Sequence, residues 1–592
     1  MFGSVRKTLS GGTLVGVALL GLLVVASAPA GSGPATQAAR SFVAAGEYSG
    51  KPLRAVEGVD ARARRVGNTI PALADALRIA EVAGGNRSYR LQHAVAGESV
   101  SATLASPWHA DGFTGKGVKI AIIDGGFAGL SQRQAEGDLP ANAVTQDNCG
   151  GRFATADDHG TAVAEIVHEM APDAQLYLVC IESDTDFAAA VAYAKSQGVH
   201  IVNFSAGWEG PFRNDGSDRF SAIVADARAS GILWVNSAGN QADTHWSGAY
   251  TPGDDRVHDW SSNGDEGNTF MWPNDSVICG FLRWDEWPNA ASDFDLALVH
   301  SGTNTLLAIA EDEQTGSQPP FEATCVEQSS GSDLQVYWAI VGYRVTSSPQ
   351  LDLVSWSPPL QYSVAAGSIA APATSSAAFA VGAVCWQSRQ LEPYSSQGPT
   401  IDGRVKPDIV AHDSVSSATY GAFDGSCPSG FAGTSASSPE VAGAAALVKQ
   451  AFPSYTADQL KQYLMRYARD LGSPGLDSTY GAGELQLPEP PDLVAPAAKA
   501  LPSTGRLGKT VKLVSSVSDD SGAVSVVEQV LLGSKTVATI KRSGFVSAPS
   551  PKTVATAWKA PAKAGGRYRH CVRVTDRAGN TSPISCARLT LR

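Results

Sequence analysis

The sequence predicts an α/β domain with a parallel sheet flanked by helices, interrupted by a β-sandwich insertion and followed by a second, smaller β-sandwich. Short apolar runs alternate with helical patterns from residue 118 onward, which is typical of strands joined by helical crossovers. A stretch at 246–360 rich in Trp, Asp, Asn and Ser interrupts this rhythm. A proline-rich segment at 487–491 then separates a last region with many Val, Thr and Ser, so several folding units are expected in 592 residues.

The N-terminus has the pattern of a secretory signal peptide. Arg6 and Lys7 precede an uncharged run rich in Leu, Val, Gly and Ala, and small residues then offer cleavage sites after Ala28 or Ala30. We therefore assign residues 1–30 to a signal peptide, exclude them from the fold and expect a secreted, extracellular protein. An uncleaved membrane anchor is the alternative.

Residues 31–105 form a region of different composition, rich in Ala, Arg and Gly, with one predicted helix at 70–82. The region lies between an export signal and a strongly apolar strand that begins a folded domain. This position predicts a propeptide, and hence a zymogen, with a plain surface extension as the alternative.

The α/β domain is predicted to consist of two parts, residues 106–245 and 361–487. Apolar runs bounded by turn residues predict its strands, and longer amphipathic or Ala-rich segments predict its helices. The predicted strands are 118–123, 175–180, 200–204, 233–236 and 378–384, and the predicted helices are 161–169, 186–197 and 439–451.

Two further β domains are predicted. Residues 246–360 contain short alternating runs, such as 294–299 and 335–338, and a structureless loop of that length is improbable in a compact domain. Residues 488–592 form a linker and an immunoglobulin-like β domain, in which the segments 519–522 and 576–580 suit turns. A structural calcium ion at these acidic turns is the alternative to plain turn chemistry.

Charge and cysteine content narrow the class of protein. The formal net charge is -12 and no basic block is present, which argues against a nucleic-acid or anionic-membrane partner. The eight cysteines have no Cys-x-x-Cys spacing, so disulfides are favoured over a metal site. Sequential pairing would keep each bridge within one predicted unit, although other connectivities remain open.

Three short segments carry candidate chemistry, in the order Asp, His, Ser. They are Ile122-Ile123-Asp124-Gly125-Gly126, Asp158-His159-Gly160-Thr161 and Gly433-Thr434-Ser435-Ala436-Ser437. A serine hydroxyl becomes a nucleophile when a neighbouring imidazole accepts its proton, and a buried carboxylate can orient that imidazole. Pro439 fits the first turn of a helix after Ser435, which predicts that the serine lies at a helix N-terminus.

These segments resemble the subtilisin-like serine peptidases. The resemblance covers about 115–246 and 360–487, and it implies a subtilisin-like fold and a catalytic triad of Asp124, His159 and Ser435. It further implies hydrolysis of peptide bonds through an acyl-enzyme, by a secreted serine endopeptidase that needs no cofactor or metal for its chemistry.

The same resemblance implies the remaining site residues. Asn240, in Ser237-Ala238-Gly239-Asn240, matches the asparagine that the family uses in its oxyanion hole, beside the amide of Ser435. The segments bordering the substrate pocket are implied to be Ser205, Ala206 and Gly207 together with Ser237, Ala238 and Gly239.

The chain departs from the family's usual pattern at Gly125, Ala162 and Glu440, none of which is a member of the triad. Glu440, near a helix start, is predicted to be a surface residue. The Ser435 segment also resembles the serine-carboxyl peptidases, but His159 and Asn240 argue against them. A base that must be unprotonated predicts a neutral to alkaline optimum.

We therefore expect a monomer that acts on polypeptide substrates, without a nucleic-acid partner and without a membrane partner once the signal is removed. The rival is a catalytically idle scaffold or adhesin that keeps the fold and binds through its two β domains. Labelling of Ser435 by a fluorophosphonate separates the two.

Overall fold

The computed structural model of the protein describes residues 97–253 and 255–592, and the backbone of one earlier strand, β1 (Leu22–Val25). The predicted helix at 70–82 and almost all of the predicted propeptide lie outside the described residues. Helices of the described part all lack the combination of length and apolar character that crossing a bilayer requires.

The first part of the α/β domain alternates strands and helices as predicted. Its strands are β2 (Lys119–Asp124), β3 (Val144–Asp147), β4 (Gln175–Cys180), β5 (Ile201–Phe204), β6 (Ala206–Glu209) and β7 (Leu233–Ser237). Its helices are α1 (Ser99–Ala102), α2 (Ser106–Ala110), α3 (Leu130–Glu136), α4 (His159–Met170), α5 (Asp184–Gln197) and α6 (Arg219–Ala229). Side chains cap the N-termini of the last two of these helices, Ser183 that of α5 and Asp218 that of α6.

The insertion is a sandwich of two four-stranded antiparallel sheets. Its strands are β8 (His245–Ala249), β9 (Asn268–Trp272), β10 (Ser276–Trp284), β11 (Asp293–His300), β12 (Thr305–Ala310), β13 (Phe321–Gln328), β14 (Leu334–Arg344) and β15 (Gln350–Trp356). The sheets have the orders β13-β10-β15-β8 and β12-β11-β14-β9. Buried tryptophans fill the space between them, and Trp338 Nε1 donates to Ser355 Oγ of the opposite sheet at 2.8 Å.

The second part completes the main sheet with β16 (Ala378–Cys385) and β17 (Ile409–Asp413), followed by α7 (Thr434–Ala451) and α8 (Ala457–Tyr467). The seven strands run parallel in the order β17-β16-β7-β5-β2-β4-β3. Alternate side chains of β2 enter cores on opposite faces, Ile120 and Ile122 on one and Ala121 and Ile123 on the other. Both faces are therefore covered by helices, as an all-parallel sheet requires.

Residues 489–592 form a separate unit. Its strands are β18 (Ala497–Leu501), β19 (Ser503–Gly505), β20 (Thr510–Ser518), β21 (Ala523–Leu532), β22 (Lys535–Lys541), β23 (Val546–Ser547), β24 (Lys552–Lys559), β25 (Tyr568–Thr575) and β26 (Ser585–Leu591). They make a three-stranded sheet, β18-β20-β24, and a larger one, β19-β26-β25-β21-β22, with β23 paired to β21. Alternating burial along β20 and β21 places a valine-rich core between the sheets, as in an immunoglobulin-like sandwich.

Four disulfides each join one cysteine to the next cysteine along the chain. They are Cys149–Cys180, Cys279–Cys325, Cys385–Cys427 and Cys571–Cys586. The last bridge staples the neighbouring strands β25 and β26, where the two residues lie directly opposite each other. The sequential pairing considered from the sequence is therefore the one in the structure.

Candidate active site

The candidate residues gather at the carboxyl edge of the parallel sheet. Asp124 is the last residue of β2, Ser205 follows β5, and Asn240 lies shortly after β7. These three strands are neighbours in the sheet. Because parallel strands end at the same edge, residues distant in sequence meet there, which is the usual place for a site in this architecture.

Asp124 and His159 form a buried pair. His159 Nδ1 lies 2.9 Å from Asp124 Oδ1 and 3.0 Å from Oδ2, and the side chains are 2 % and 0 % exposed. The Gly125 N–H donates to Asp124 Oδ1 at 2.8 Å, which fixes the carboxylate. Gly160 permits this approach, since a methyl group there would lie 2.4 Å from Gly126 O and 2.9 Å from Asp124 Cβ.

The electrostatics around His159 favour its charged form. Burial by itself lowers the pKa of this imidazole, but the charge and hydrogen bond of Asp124, followed by the charges of Asp157 and Asp158, outweigh burial and raise it. Asp157 Oδ1 also accepts from the His159 N–H at 3.0 Å, and burial raises the pKa of Asp157 to about 7. Within the described residues, His159 Nε2 is buried without a hydrogen-bond partner.

Ser435 is the second residue of α7 and is fully buried. The helix is preceded by Gly433, whose φ of 112° lies in the region that favours glycine. The Gly433 N–H donates to Asp413 Oδ2 at 2.9 Å, and the Tyr394 hydroxyl donates to the same oxygen. A buried carboxylate at the end of β17 thus fixes the start of the helix that carries the serine.

Ser435 exchanges two hydrogen bonds with Ser205, which follows β5. Ser435 Oγ donates to Ser205 O at 3.1 Å, and Ser205 Oγ donates to Ser435 O at 3.1 Å. The prediction that Pro439 lies in the first helical turn is wrong, because α7 begins at Thr434 and the proline lies inside it. A proline has no N–H for the carbonyl four residues earlier, and the Ser205 hydroxyl supplies the donor instead.

Asn240 is oriented by the residue beside Ser435. Asn240 Oδ1 accepts from the Thr434 N–H at 3.0 Å and from Thr434 Oγ1 at 2.9 Å. The other side-chain atom, Asn240 Nδ2, is buried, and no group of the described chain accepts a hydrogen bond from it. An unsatisfied amide next to the helix N-terminus is a donor available to an anion.

Both predicted substrate segments contact the start of this helix, through Ser205 and through Gly239. Residues 206–209 form β6, which pairs antiparallel with β1 in the register Val25 to Ala206 and Leu22 to Glu209. The other segment is tied down within the domain: Ala238 donates to Val381 O at 2.8 Å and accepts from the Ala370 N–H at 3.0 Å. The Gly239 N–H donates to Thr434 Oγ1 at 3.2 Å, so this segment also adjoins the serine.

Several residues of the site were missed in the sequence. Asp157, directly before Asp158-His159, was visible as part of a doubled acidic motif. Thr434 and Asp413 had weaker signals, a hydroxyl beside the serine and an acid ending an apolar strand. Phe431, whose ring lies edge-on to His159 with centroids 5.7 Å apart, had none.

The prediction that Glu440 lies at the surface is wrong. It is fully buried in α7, where Glu440 Oε2 accepts from the His412 N–H at 3.0 Å and lies 2.9 Å from His412 Nδ1. His412 Nε2 in turn lies 2.7 Å from Glu484 Oε1. Burial lowers the pKa of His412, but the two glutamates outweigh burial and raise it to about 9. Glu440 is therefore half of a buried ion pair.

Groups of His, Cys, Asp and Glu that fit a metal ion occur at two places in the described part of the chain. One contains Cys385 and Cys427, which form a disulfide and so offer no thiolate. The other lies in the C-terminal unit, at Asp492, Asp519 and Asp576. Neither contains a residue of the candidate active site.

The α/β domain is similar to known proteins. The model of the Subtilase family matches residues 115–270 and 361–483, on both sides of the insertion. Minor extracellular protease Vpr of Bacillus subtilis (strain 168) is 24% identical over 407 residues, which cover 60% of this chain and 48% of the relative. Subtilisin Savinase of Lederbergia lenta is 38% identical over 159 residues, 24% of this chain and 54% of the relative.

The chain thus spans about half the length of these two relatives. Among solved structures, the Clostridium perfringens CspB protease aligns with 66% of this chain and 97% of its own, with a TM-score of 0.46 and 15% identity. The family match falls on the segments that contain Asp124, His159, Asn240 and Ser435. Through residues 115–270 and 361–483, this chain belongs to the subtilase family of serine peptidases.

Proposed function

We propose that the protein is a secreted serine endopeptidase that cleaves polypeptides through an acyl-enzyme on Ser435, with His159 and Asp124 completing the triad. The observation that carries the proposal is the buried Asp124–His159 hydrogen bond, which leaves His159 Nε2 without a partner in the described structure. A desolvated imidazole with one nitrogen anchored and the other available is suited to accept a proton.

The chemistry follows from these contacts. Ser435 Oγ exchanges its bond to Ser205 O for one to His159 Nε2, gives up its proton there and attacks the substrate carbonyl carbon. Asp124 keeps Nδ1 protonated and stabilises the imidazolium, which then protonates the leaving amine. Water, activated by the same imidazole, hydrolyses the resulting ester and restores the serine.

The oxyanion is stabilised by donors that are already in place. The tetrahedral intermediate carries its negative charge on the former carbonyl oxygen, and the Ser435 N–H and Asn240 Nδ2 are proposed to donate to it. Thr434 holds the Asn240 carbonyl, so the amide group need not reorganise during the reaction.

Extended peptides are the substrates that this cleft would accept. The pairing of β1 with β6 supports the proposal, because antiparallel addition to an available strand edge is a common mode of peptide recognition. A substrate using the β6 edge would have its chain next to Ser205, whose carbonyl contacts Ser435. The four disulfides are consistent with export to an oxidising compartment.

Because β1 lies within the predicted signal peptide, the proposed activation step is instead removal of the region at 31–105, which stands between the export signal and the α/β domain. If the enzyme processes itself, Ser435→Ala expressed with its complete N-terminus should accumulate as the full precursor. Complete processing of the Ser435→Ala variant in a preparation free of host proteases would count against self-activation.

Hydrolysis of casein, with product peptides identified by mass spectrometry, tests the proposed function. The protein should release peptides cut at internal bonds, and Ser435→Ala should release none above background. Ser437→Ala is the matched control, since Ser437 is equally buried two residues along the same helix. A folded, processed protein with no activity on casein or on a peptide library would favour the idle scaffold.

A further inference from the structure

Three aspartates of the C-terminal unit converge from distant parts of its sequence. Asp492 follows the proline-rich segment, Asp519 follows β20, and Asp576 follows β25. One carboxylate oxygen from each lies within 4.8 Å of one from both others. Asp519 and Asp576 are only 5% and 2% exposed. Such burial distinguishes the group from the acidic clusters common on protein surfaces.

Each carboxylate uses one oxygen in a local hydrogen bond and has its other oxygen unsatisfied. The satisfied oxygens are Asp492 Oδ1, which accepts from the Val494 N–H at 3.1 Å, Asp519 Oδ2, which accepts from Ser521 Oγ, and Asp576 Oδ1, which accepts from the Asn580 N–H at 2.8 Å. The opposite oxygens, Asp492 Oδ2, Asp519 Oδ1 and Asp576 Oδ2, are buried and make no hydrogen bond within the described residues.

The surroundings do not compensate these charges. No salt bridge within residues 489–592 involves any of the three aspartates. The nearest basic residue in sequence, Arg577, has its guanidinium over the ring of Phe545, 5.3 Å from the centroid. Burying carboxylates without a compensating charge costs free energy, and a bound cation would offset that cost.

We propose that Asp492, Asp519 and Asp576 bind a calcium ion. The ligands are hard oxygens with a combined charge that suits a divalent cation, and Ca²⁺–O distances are about 2.3–2.6 Å. Two oxygens on opposite sides of such an ion are therefore up to about 5 Å apart. The 4.8 Å limit within which the three oxygens lie is compatible with that separation. Water and nearby carbonyl groups would complete the six to eight ligands typical of calcium.

The hydrogen bonds of an ordinary turn explain only one of the two oxygens of each carboxylate. The Asp519 and Asp576 turns need one acceptor oxygen each, as their hydrogen bonds to Ser521 and Asn580 show. Turn formation gives no reason for three carboxylates, each with one buried and unsatisfied oxygen, to converge. A shared cation does.

Calcium would fix the first residues of the C-terminal unit to the rest of it. The unit begins at Glu489, three residues before Asp492. Asn580 Nδ2 already donates to Asp492 O at 2.9 Å, so the same turn touches this segment twice. Binding would strengthen the hydrogen bonds of the Val494 and Asn580 amides, which donate to the ligating carboxylates. The ion thus has a local and measurable signature.

Hydrogen exchange of the full chain, read by mass spectrometry in peptides containing Val494 and Asn580, tests the site. The chain is used as Ser435→Ala, so that the result does not depend on proteolysis. After chelation and dialysis, 10 mM CaCl2 should slow exchange in both peptides at least about tenfold. This calcium concentration exceeds the dissociation constants typical of extracellular calcium modules, about 10⁻⁴–10⁻³ M. MgCl2 should have less than half that effect.

Asp576→Asn and Asp519→Asn, each added to this background, should abolish the response, since an amide of the same shape keeps the turn but weakens the ligand. Asp520→Asn is the matched control because Asp520 is exposed in the same turn and loses the same charge. Unchanged exchange with calcium in the parent protein would overturn the site. So would a response that survives both ligand substitutions, and equal protection by magnesium would overturn the choice of calcium.

Discussion

Arg283 Nη1 lies 2.8 Å from Glu209 Oε2, with both side chains buried. Arg283 belongs to β10 of the inserted sandwich, and Glu209 is the last residue of β6. The guanidinium also donates to Asp352 Oδ1 through Nε and Nη2, at 3.0 and 2.8 Å. A cation of the insertion therefore neutralises a carboxylate on the strand that borders the proposed substrate cleft.

Arg283→Met should destabilise the fold by about 3–5 kcal/mol, because the buried Glu209 loses its ion-pair partner and Asp352 keeps only His245 Nε2, at 3.1 Å. Urea unfolding followed by tryptophan fluorescence measures this change. In the folded fraction, KM for an extended peptide should rise more than kcat falls, since Glu209 lies on the binding edge and not at the serine.

Arg569→Met is the control for the loss of a guanidinium, because Arg569 is exposed on β25. Its effect should stay within about 0.5 kcal/mol, as for most surface substitutions. A cost below about 1 kcal/mol for Arg283→Met would contradict the view that this ion pair joins the insertion to the cleft.

Asn240→Ala should lower kcat by about 10²–10³-fold with little effect on KM, the usual consequence of removing one oxyanion donor. Stopped-flow or steady-state hydrolysis of a chromogenic peptide provides the measurement. Thr434→Val should lower kcat by a smaller factor, because it removes the hydroxyl that orients Asn240. Thr434→Ser restores that hydroxyl and should recover the activity. Equal losses for Val and Ser would assign Thr434 to packing instead.

The acid limb of the pH–rate profile should report His159. Its raised pKa means that the imidazole remains protonated, and inactive as a base, to a higher pH than usual. kcat/KM should therefore fall as the pH drops through a value above about 6.5, the ordinary pKa of histidine. Asp157→Asn removes a charge that raises this pKa, so the limb should move to lower pH.

Asp158→Asn serves as a graded comparison, because the charge of Asp158 has a smaller effect on His159 than that of Asp157. Its shift should have the same sign and a smaller size. A limb that moves to higher pH with Asp157→Asn, or does not move, would contradict the assignment of the base.

The buried His412 should make stability depend on pH. Its pKa is about 9 in the fold and about 6.5 when unfolded, so the contribution is complete below pH 6.5 and is lost as the pH rises through 9. The shift corresponds to about 3 kcal/mol. Guanidinium unfolding of the protein and of His412→Gln should therefore differ most at pH 6 and least near pH 10. A difference that grows with pH would contradict a charged His412.

Sequence reasoning predicted the main sheet well because its signals are local. The largely apolar run Gln175–Cys180 lies between Asp173 and the polar pair Glu182-Ser183, and this strand has the predicted bounds. Asp124 and His159 were identifiable for the same reason, since each stands at the boundary of an element. Local patterns are sufficient where the chain itself determines the element.

Residues that depend on distant partners could not be predicted in the same way. Glu440 was assigned to the surface because nothing near it in sequence indicates His412 as its partner. The start of α7 was placed too late because a proline usually marks the first turn, whereas here Ser205 compensates for the missing donor. The convergence of Asp492 with the two predicted acidic turns also required the fold.

Covalent labelling by a fluorophosphonate, followed by mass spectrometry of the modified peptide, tests the central claim most directly. The processed, folded protein should carry one phosphonyl group on Ser435, and His159→Ala should slow the labelling by at least about 10³-fold because the base is lost. No labelling of the folded protein, or a label on a serine other than Ser435, would contradict the proposed triad.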